Sequence, residues 1–119
     1  MKYTLLLLLF VASIAGAENK VETFTGEIGD SSCAYNVHSL SRSHKEMLKS
    51  GTFGKTAAEC TRHCVKQFGA SYVLVHNNDV YRFEQQDVVA PFAGHEVKIT
   101  GSLVEDGKTI HIDKIEPAK

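Results

Sequence analysis

The sequence predicts one mainly β domain of the α+β class, with five strands and a helix-containing insertion between strands 1 and 2. Five short segments alternate polar and apolar residues or are rich in β-branched residues, as half-buried strands are. These segments are residues 21–29, 71–75, 80–83, 96–103 and 109–115. Asn77 and Asn78 separate the second segment from the third and tolerate a positive φ, which predicts a β-hairpin.

The predicted insertion contains a capped helix. Thr56 and Glu59 fit a capping box, in which the hydroxyl and the carboxylate satisfy free N–H groups of the first helical turn. The helix is expected over residues 57–67, and Gly69 suits the left-handed position that ends a helix. The rest of residues 30–55 is rich in serine and glycine and is predicted to be mostly loop.

The order of elements resembles that of the OB-fold, a five-stranded Greek-key barrel. A short helical connection over residues 85–93 precedes the last two strands, as that order requires. Ligands of OB-folds meet the loops between strands 1 and 2 and between strands 4 and 5. The first of these loops would be residues 30–70, which hold the helix and every cysteine. The alternative prediction is an α+β sandwich with the helix packed on an antiparallel sheet.

Residues 1–17 have the order of a cleavable signal peptide. Lys2 precedes an apolar run over residues 5–14, and small residues at 15–17 follow it. The run is too short to span a bilayer as a helix. We therefore expect residues 18–119 to form a single exported domain, periplasmic or secreted.

The charge balance argues against nucleic-acid binding. The chain has 13 Lys and Arg against 14 Asp and Glu, for a net charge of −1. Nucleic-acid binding ordinarily requires a clustered basic face, which this sequence lacks.

Two short motifs, together with residues at two further positions in the chain, resemble those of a known group of proteins. The matching residues are Asp30-Ser31-Ser32-Cys33 (D-S-x-C), His44 and Met47, Glu59-Cys60-Thr61-Arg62-His63-Cys64 (with C-x3-C), and Tyr72-Val73-Leu74-Val75. The chain resembles a family of small exported bacterial proteins with these motifs and an OB-fold-like β-rich tail. The resemblance implies export and the fold but no particular activity. The segment between Cys33 and Cys60 offers two histidines for the matching position, His38 and His44.

The cysteines are the candidate site. Cys60 and Cys64 lie at i and i+4 on the helix, on one face with Ala57 and Phe68, and are expected to point inward. This spacing suits two ligands of one metal ion better than an unstrained disulfide. His63 is expected to point to solvent.

Cys33 and a histidine would complete a tetrahedral set for a structural Zn2+ ion. His44 is the first candidate for the histidine and His38 the alternative. If Met47 also bound, the softer donors would favour Cu(I). Asp30 is expected to orient the histidine from outside the ligand set.

A disulfide is the competing hypothesis. Cys33 would pair with Cys60 or Cys64 and leave one buried thiol, since three cysteines cannot all pair within a chain. An oxidising compartment favours this outcome.

The sequence thus predicts a non-enzymatic exported binding module with a cysteine-based site. Its partner would be a metal such as Zn or Cu, a small ligand or an envelope protein. The alternative is a small extracytoplasmic protein of thiol-redox or stress function that uses the unpaired cysteine.

Overall fold

The computed structural model describes residues 20–35, 48–49, 51, 54–104 and 106–118. The strands within these ranges are β1 (Val21–Asp30), β2 (Tyr72–His76), β3 (Asp79–Phe83), β4 (Glu96–Leu103) and β5 (Thr109–Pro117). The helices whose bounds lie within these ranges are α1 (Ser31–Ala34), α2 (Ala57–Phe68) and α3 (Gln86–Val89), with a 3-10 turn at Ala90–Phe92. The predicted signal peptide and His38, His44 and Met47 lie outside the described residues.

The five strands form one mixed sheet that closes into a ring. The strand order is β1-β2-β3-β5-β4, and β4 pairs again with β1. Most neighbours are antiparallel, but β3 and β5 run parallel through the pairs Arg82↔Thr109 and Phe83↔Ile110. The prediction of a mainly β chain with five strands and a helix between strands 1 and 2 is confirmed. The parallel pair departs from the antiparallel sheet of the alternative prediction.

The core lies inside the ring, where alternate residues of the strands point. The fully buried aliphatic residues that the strands contribute to it are Ile28, Leu74, Val97, Ile99 and Ile110. The alternation of apolar and polar residues that predicted the strands therefore matches their burial. Apolar residues face the core, and most polar residues face the outer surface.

Local signals predicted the central hairpin correctly. β2 and β3 pair antiparallel from Val73↔Arg82 to His76↔Asp79. Asn77 has a positive φ of 53° in the turn between the strands. Asparagine adopts this left-handed conformation more readily than other residues with a side chain, which is why it marks the turn.

Helix α2 begins and ends at its predicted capping residues. The Thr56 hydroxyl accepts a hydrogen bond from the Glu59 N–H at 3.2 Å, and Gly69 is left-handed at φ 66°. The Glu59 carboxylate accepts from the Lys55 N–H at 2.7 Å. The box is therefore shifted, because a standard capping box would return this carboxylate to the Thr56 N–H.

The buried face of α2 differs from the prediction at one position. Phe68 was expected to lie inward with the cysteines, but 60% of its surface is exposed. The helix ends at this residue and the chain turns at Gly69, so the Phe68 ring packs on His63 at 5.7 Å between centroids. Thr61 is fully buried instead.

A glycine sets the position of α2 over the end of β1. The Gly94 N–H donates to the Ile28 carbonyl at 2.7 Å, which ties the loop before β4 to β1. A Cβ at Gly94 would lie only 2.6 Å from the Ala58 Cα, and the residue is left-handed at φ 77°. The first turn of α2 therefore packs directly on the Gly94 backbone.

No helix among the described residues is long and apolar enough to cross a membrane.

Candidate metal centre

The site begins where β1 ends. Asp30 is the last residue of β1 and the N-cap of α1, and its Oδ1 accepts a hydrogen bond from the Cys33 N–H at 3.0 Å. Ser31 holds the same turn to the start of β2, since its N–H donates to the Ser71 carbonyl at 2.8 Å and its Oγ accepts from the Ser71 N–H at 3.0 Å. The Asp30 carboxylate thus holds the Cys33 backbone, and Ser31 ties the turn to β2.

Helix α2 supplies the other two thiols. Cys60 and Cys64 lie one helical turn apart on its buried face, and α2 packs against β1. The exposed fractions of Cys33, Cys60 and Cys64 are 5%, 0% and 2%. The predicted inward orientation of the cysteine pair is confirmed.

The side chains converge on one buried point. A carboxylate oxygen of Asp30 and the Sγ atoms of Cys33 and Cys64 all lie within 4.8 Å of one another. Cys60 is outside this set of mutually close ligand atoms, but its side chain lies near those of Cys33 and Cys64 and interacts with both. All three cysteines are free thiols. We call Asp30, Cys33, Cys60 and Cys64 the thiol group.

The surroundings of the thiol group favour neutral thiols. Burial, and then the charge of Asp30, raise the pKa of Cys64 to about 11. The same two causes, in the same order, raise the pKa values of Cys33 and Cys60. Reactive cysteines have lowered pKa values in electropositive, partly exposed surroundings. The cysteines of the thiol group are instead buried beside a carboxylate and have raised pKa values.

The two carboxylate oxygens of Asp30 have different surroundings. Its Oδ1 caps α1, whereas its Oδ2 is buried and has no hydrogen-bond partner among the described residues. Buried polar atoms are nearly always paired, so we expect a partner for this oxygen, whose carboxylate lies close to the Cys33 and Cys64 thiols. A cation fits this place, because thiolate and carboxylate oxygen are both zinc ligands.

The structure brings together part of the predicted ligand set. Cys33, Cys60 and Cys64 are neighbours as the metal and disulfide hypotheses both require. His63 lies outside the group of ligand atoms and contacts Phe68.

The sequence predicts only a supporting role for Asp30, as a residue that orients a histidine, yet its carboxylate lies among the ligand atoms. Its position as the polar residue before a short helix, three residues from Cys33, was the available signal.

A cleft among the described residues lies elsewhere. It has a volume of about 540 Å3 and is lined by the first half of β1 together with Leu74, His76 and Tyr81. None of the four residues of the thiol group lines it. Its Phe24 and Tyr81 rings pack against each other at 5.6 Å, and Lys108 lies 5.2 Å from the Tyr81 ring. The cleft carries no cluster of metal-ligating side chains, so among the described residues the candidate metal site is the thiol group.

No protein-family model, curated protein or solved structure matches this chain. The function is therefore inferred from the geometry and chemistry of the site, because a fold by itself does not define a function.

Proposed function

We propose that this chain is an exported, non-enzymatic module that binds a thiophilic metal ion, Zn2+ or Cu(I), through Cys33, Cys60 and Cys64. The observation that carries the proposal is the close approach of the buried Cys33 and Cys64 thiols to the Asp30 carboxylate, with the third buried free thiol, Cys60, one helical turn from Cys64. Sulfur-rich sets of this kind are typical of structural zinc sites and of Cu(I) sites.

The architecture supports an OB-fold-like barrel as the scaffold. Five strands in the order β1-β2-β3-β5-β4, with α3 before the last two strands, agree with that fold. The thiol group lies at the end of β1 and on α2, within the connection between strands 1 and 2. OB-folds bind ligands at this connection. Membership of the exported bacterial family with D-S-x-C and C-x3-C motifs is part of the same proposal.

The metal hypothesis accounts for more of the site than a disulfide does. A bond from Cys33 to one helix cysteine is compatible with the clustering, but it uses two thiols. The third thiol would have no role, and the Oδ2 of Asp30 would stay buried without a hydrogen-bond partner among the described residues, which costs free energy. A single cation would give this oxygen a partner and would use the thiols as ligands.

A thiol-redox activity fits less well. The attacking species in thiol chemistry is the thiolate, and the raised pKa values of the three cysteines disfavour it. The cysteines are also buried, which limits the access of a substrate.

Intact mass measurement tests the proposal. Exported protein, purified without added reductant and supplied with zinc, or with Cu(I) in the absence of oxygen, should carry one metal ion under native conditions. It should show the fully reduced mass after denaturation. Cys60→Ser and Cys64→Ser should each lose most of the affinity, since each removes a ligand. His63→Ala, which alters the same helix outside the thiol group, should bind as the wild type does.

Two results would contradict the proposal. One is a denatured mass lower by two hydrogen atoms with no metal bound, which identifies a disulfide. The other is equal metal affinity in the wild type and in both serine variants.

A further inference from the structure

We infer that Asp30 is itself a metal ligand, and that its oxygen makes the site select Zn2+ over Cu(I). This inference rests on the proposed function and specifies the metal. It differs from the sequence-based expectation, in which a histidine completes the set and Asp30 only orients it. The donor set becomes three sulfurs and one carboxylate oxygen.

The two Asp30 oxygens are used differently. Oδ1 is used by the Cys33 N–H at 3.0 Å, which fixes the plane and direction of the carboxylate. Oδ2 has no hydrogen-bond partner among the described residues. The carboxylate lies within 4.8 Å of the Cys33 and Cys64 sulfurs. The residue is therefore oriented on one side and has a free donor atom on the other.

The charge of the site favours a divalent ion. Asp30 is fully buried, and no cationic side chain among the described residues forms an ion pair with it. A buried carboxylate without a cation is costly, and metal coordination is one of the ways in which proteins compensate it. Three thiolates and one carboxylate carry the same total charge as the four thiolates of an all-cysteine zinc site. A divalent ion offsets this charge better than monovalent Cu(I).

The chemical hardness of the donor atoms also favours zinc over Cu(I). Zn2+ accepts sulfur, nitrogen and carboxylate oxygen in one tetrahedral set. Cu(I) prefers soft thiolate and thioether ligands and gains little from a carboxylate. The Asp30 oxygen should thus add to zinc affinity while leaving Cu(I) affinity nearly unchanged.

Asp30→Asn is a suitable test substitution because asparagine is as good an N-cap as aspartate. Its side-chain oxygen can still accept from the Cys33 N–H, while the second oxygen becomes a neutral amide. Removing an uncompensated buried charge should leave the metal-free variant at least as stable as the metal-free wild type. A residue with only a structural role would instead lower stability when substituted.

The experiment is competition titration of reduced protein with a chelator, for Zn2+ and for Cu(I) separately. Asp30→Asn should lower zinc affinity by about tenfold to a hundredfold or more, since substitution of even an outer residue of a metal site has an effect of that size. The Cu(I) affinity should change by less than about threefold, because a thiolate set does not need the oxygen. His44→Ala should bind zinc as the wild type does.

The outcomes separate this inference from the proposed function. If the wild type binds neither ion, the proposed function fails. If the wild type binds zinc, the inference is overturned by any of three results: unchanged zinc affinity in Asp30→Asn, an equal loss for both ions, or loss of zinc affinity in His44→Ala but not in Asp30→Asn. If metal-free Asp30→Asn is strongly destabilised, Asp30 has a structural role, which also overturns the inference.

Discussion

The Oδ1 atom of Asp30 accepts a hydrogen bond from the Cys33 N–H at 3.0 Å, so the last residue of β1 holds the first thiol of the site in place. The two residues share one turn between a strand and a short helix, and both are buried. Cys60 and Cys64 come from a separate helix that packs against the same strand. The site therefore joins two elements that are remote in sequence, and a bound ion would link them.

Zinc affinity should rise steeply with pH. The pKa of Cys64 is raised to about 11, and those of Cys33 and Cys60 are raised as well, so each thiol keeps its proton at neutral pH until the metal displaces it. If three protons leave on binding, the logarithm of the affinity should rise by about 3 per pH unit between roughly pH 6 and 8. Chelator competition at several pH values measures this slope. A slope below about 1 would show that the thiols do not bind the ion.

Thr56→Ala should destabilise the domain by about 1 kcal/mol, because it removes the hydroxyl that accepts from the Glu59 N–H at the start of α2. Urea denaturation of the metal-free protein measures the loss. Lys55→Ala is the matched control, since its side chain is exposed and its N–H to the Glu59 carboxylate is kept. Equal stability of Thr56→Ala and the wild type would refute the capping role.

Gly94→Ala should be far more damaging than Gly107→Ala. Both glycines are left-handed, at φ 77° and 68°, so either alanine adds backbone strain of about 1–2 kcal/mol. Only at Gly94 would the new Cβ also overlap the backbone of Ala57 and Ala58, whereas at Gly107 it would meet nothing within 4 Å. We expect Gly94→Ala to cost more than about 3 kcal/mol. Similar denaturation midpoints for the two variants would contradict the packing of α2 on Gly94.

Asp106 should make the loop between β4 and β5 sensitive to acid. Hydrogen bonds from the Thr109 hydroxyl at 2.6 Å and from the Lys108 N–H at 2.8 Å lower the pKa of Asp106. A lowered pKa in the folded state stabilises the fold above the ordinary pKa of the carboxyl, and this stabilisation is lost as pH falls through the lowered value. The stability difference between the wild type and Asp106→Asn should therefore shrink below about pH 4. A difference that stays constant from about pH 7 to about pH 3 in urea denaturation would contradict this role.

The features that the sequence predicted correctly are the ones with local causes. The hairpin turn at Asn77 and the cap at Thr56 each depend on side-chain and backbone chemistry within a few residues. The inward orientation of Cys60 and Cys64 follows from helical periodicity alone. The same periodicity gave a wrong prediction at Phe68. The helix ends at this residue, so the chain turns away and the side chain does not reach the buried face.

The features that the sequence could not predict depend on contacts between remote residues. The parallel pairing of β3 with β5 at Arg82↔Thr109 closes the sheet, and no local pattern marks it. The place of Asp30 among the ligand atoms depends on α2 lying over the end of β1. That arrangement follows from the close approach of Gly94 to Ala58, which only the folded chain reveals.

The most direct test of the metal site is the X-ray absorption spectrum at the zinc edge of the reduced, zinc-loaded protein, because it counts the atoms bound to the ion. The thiol group predicts three sulfur neighbours at about 2.3 Å and one oxygen at about 2.0–2.2 Å. In Cys64→Ser, one sulfur should be lost. A first shell of oxygen and nitrogen alone, or a protein that retains less than about a tenth of an equivalent of zinc, would contradict a thiolate metal site.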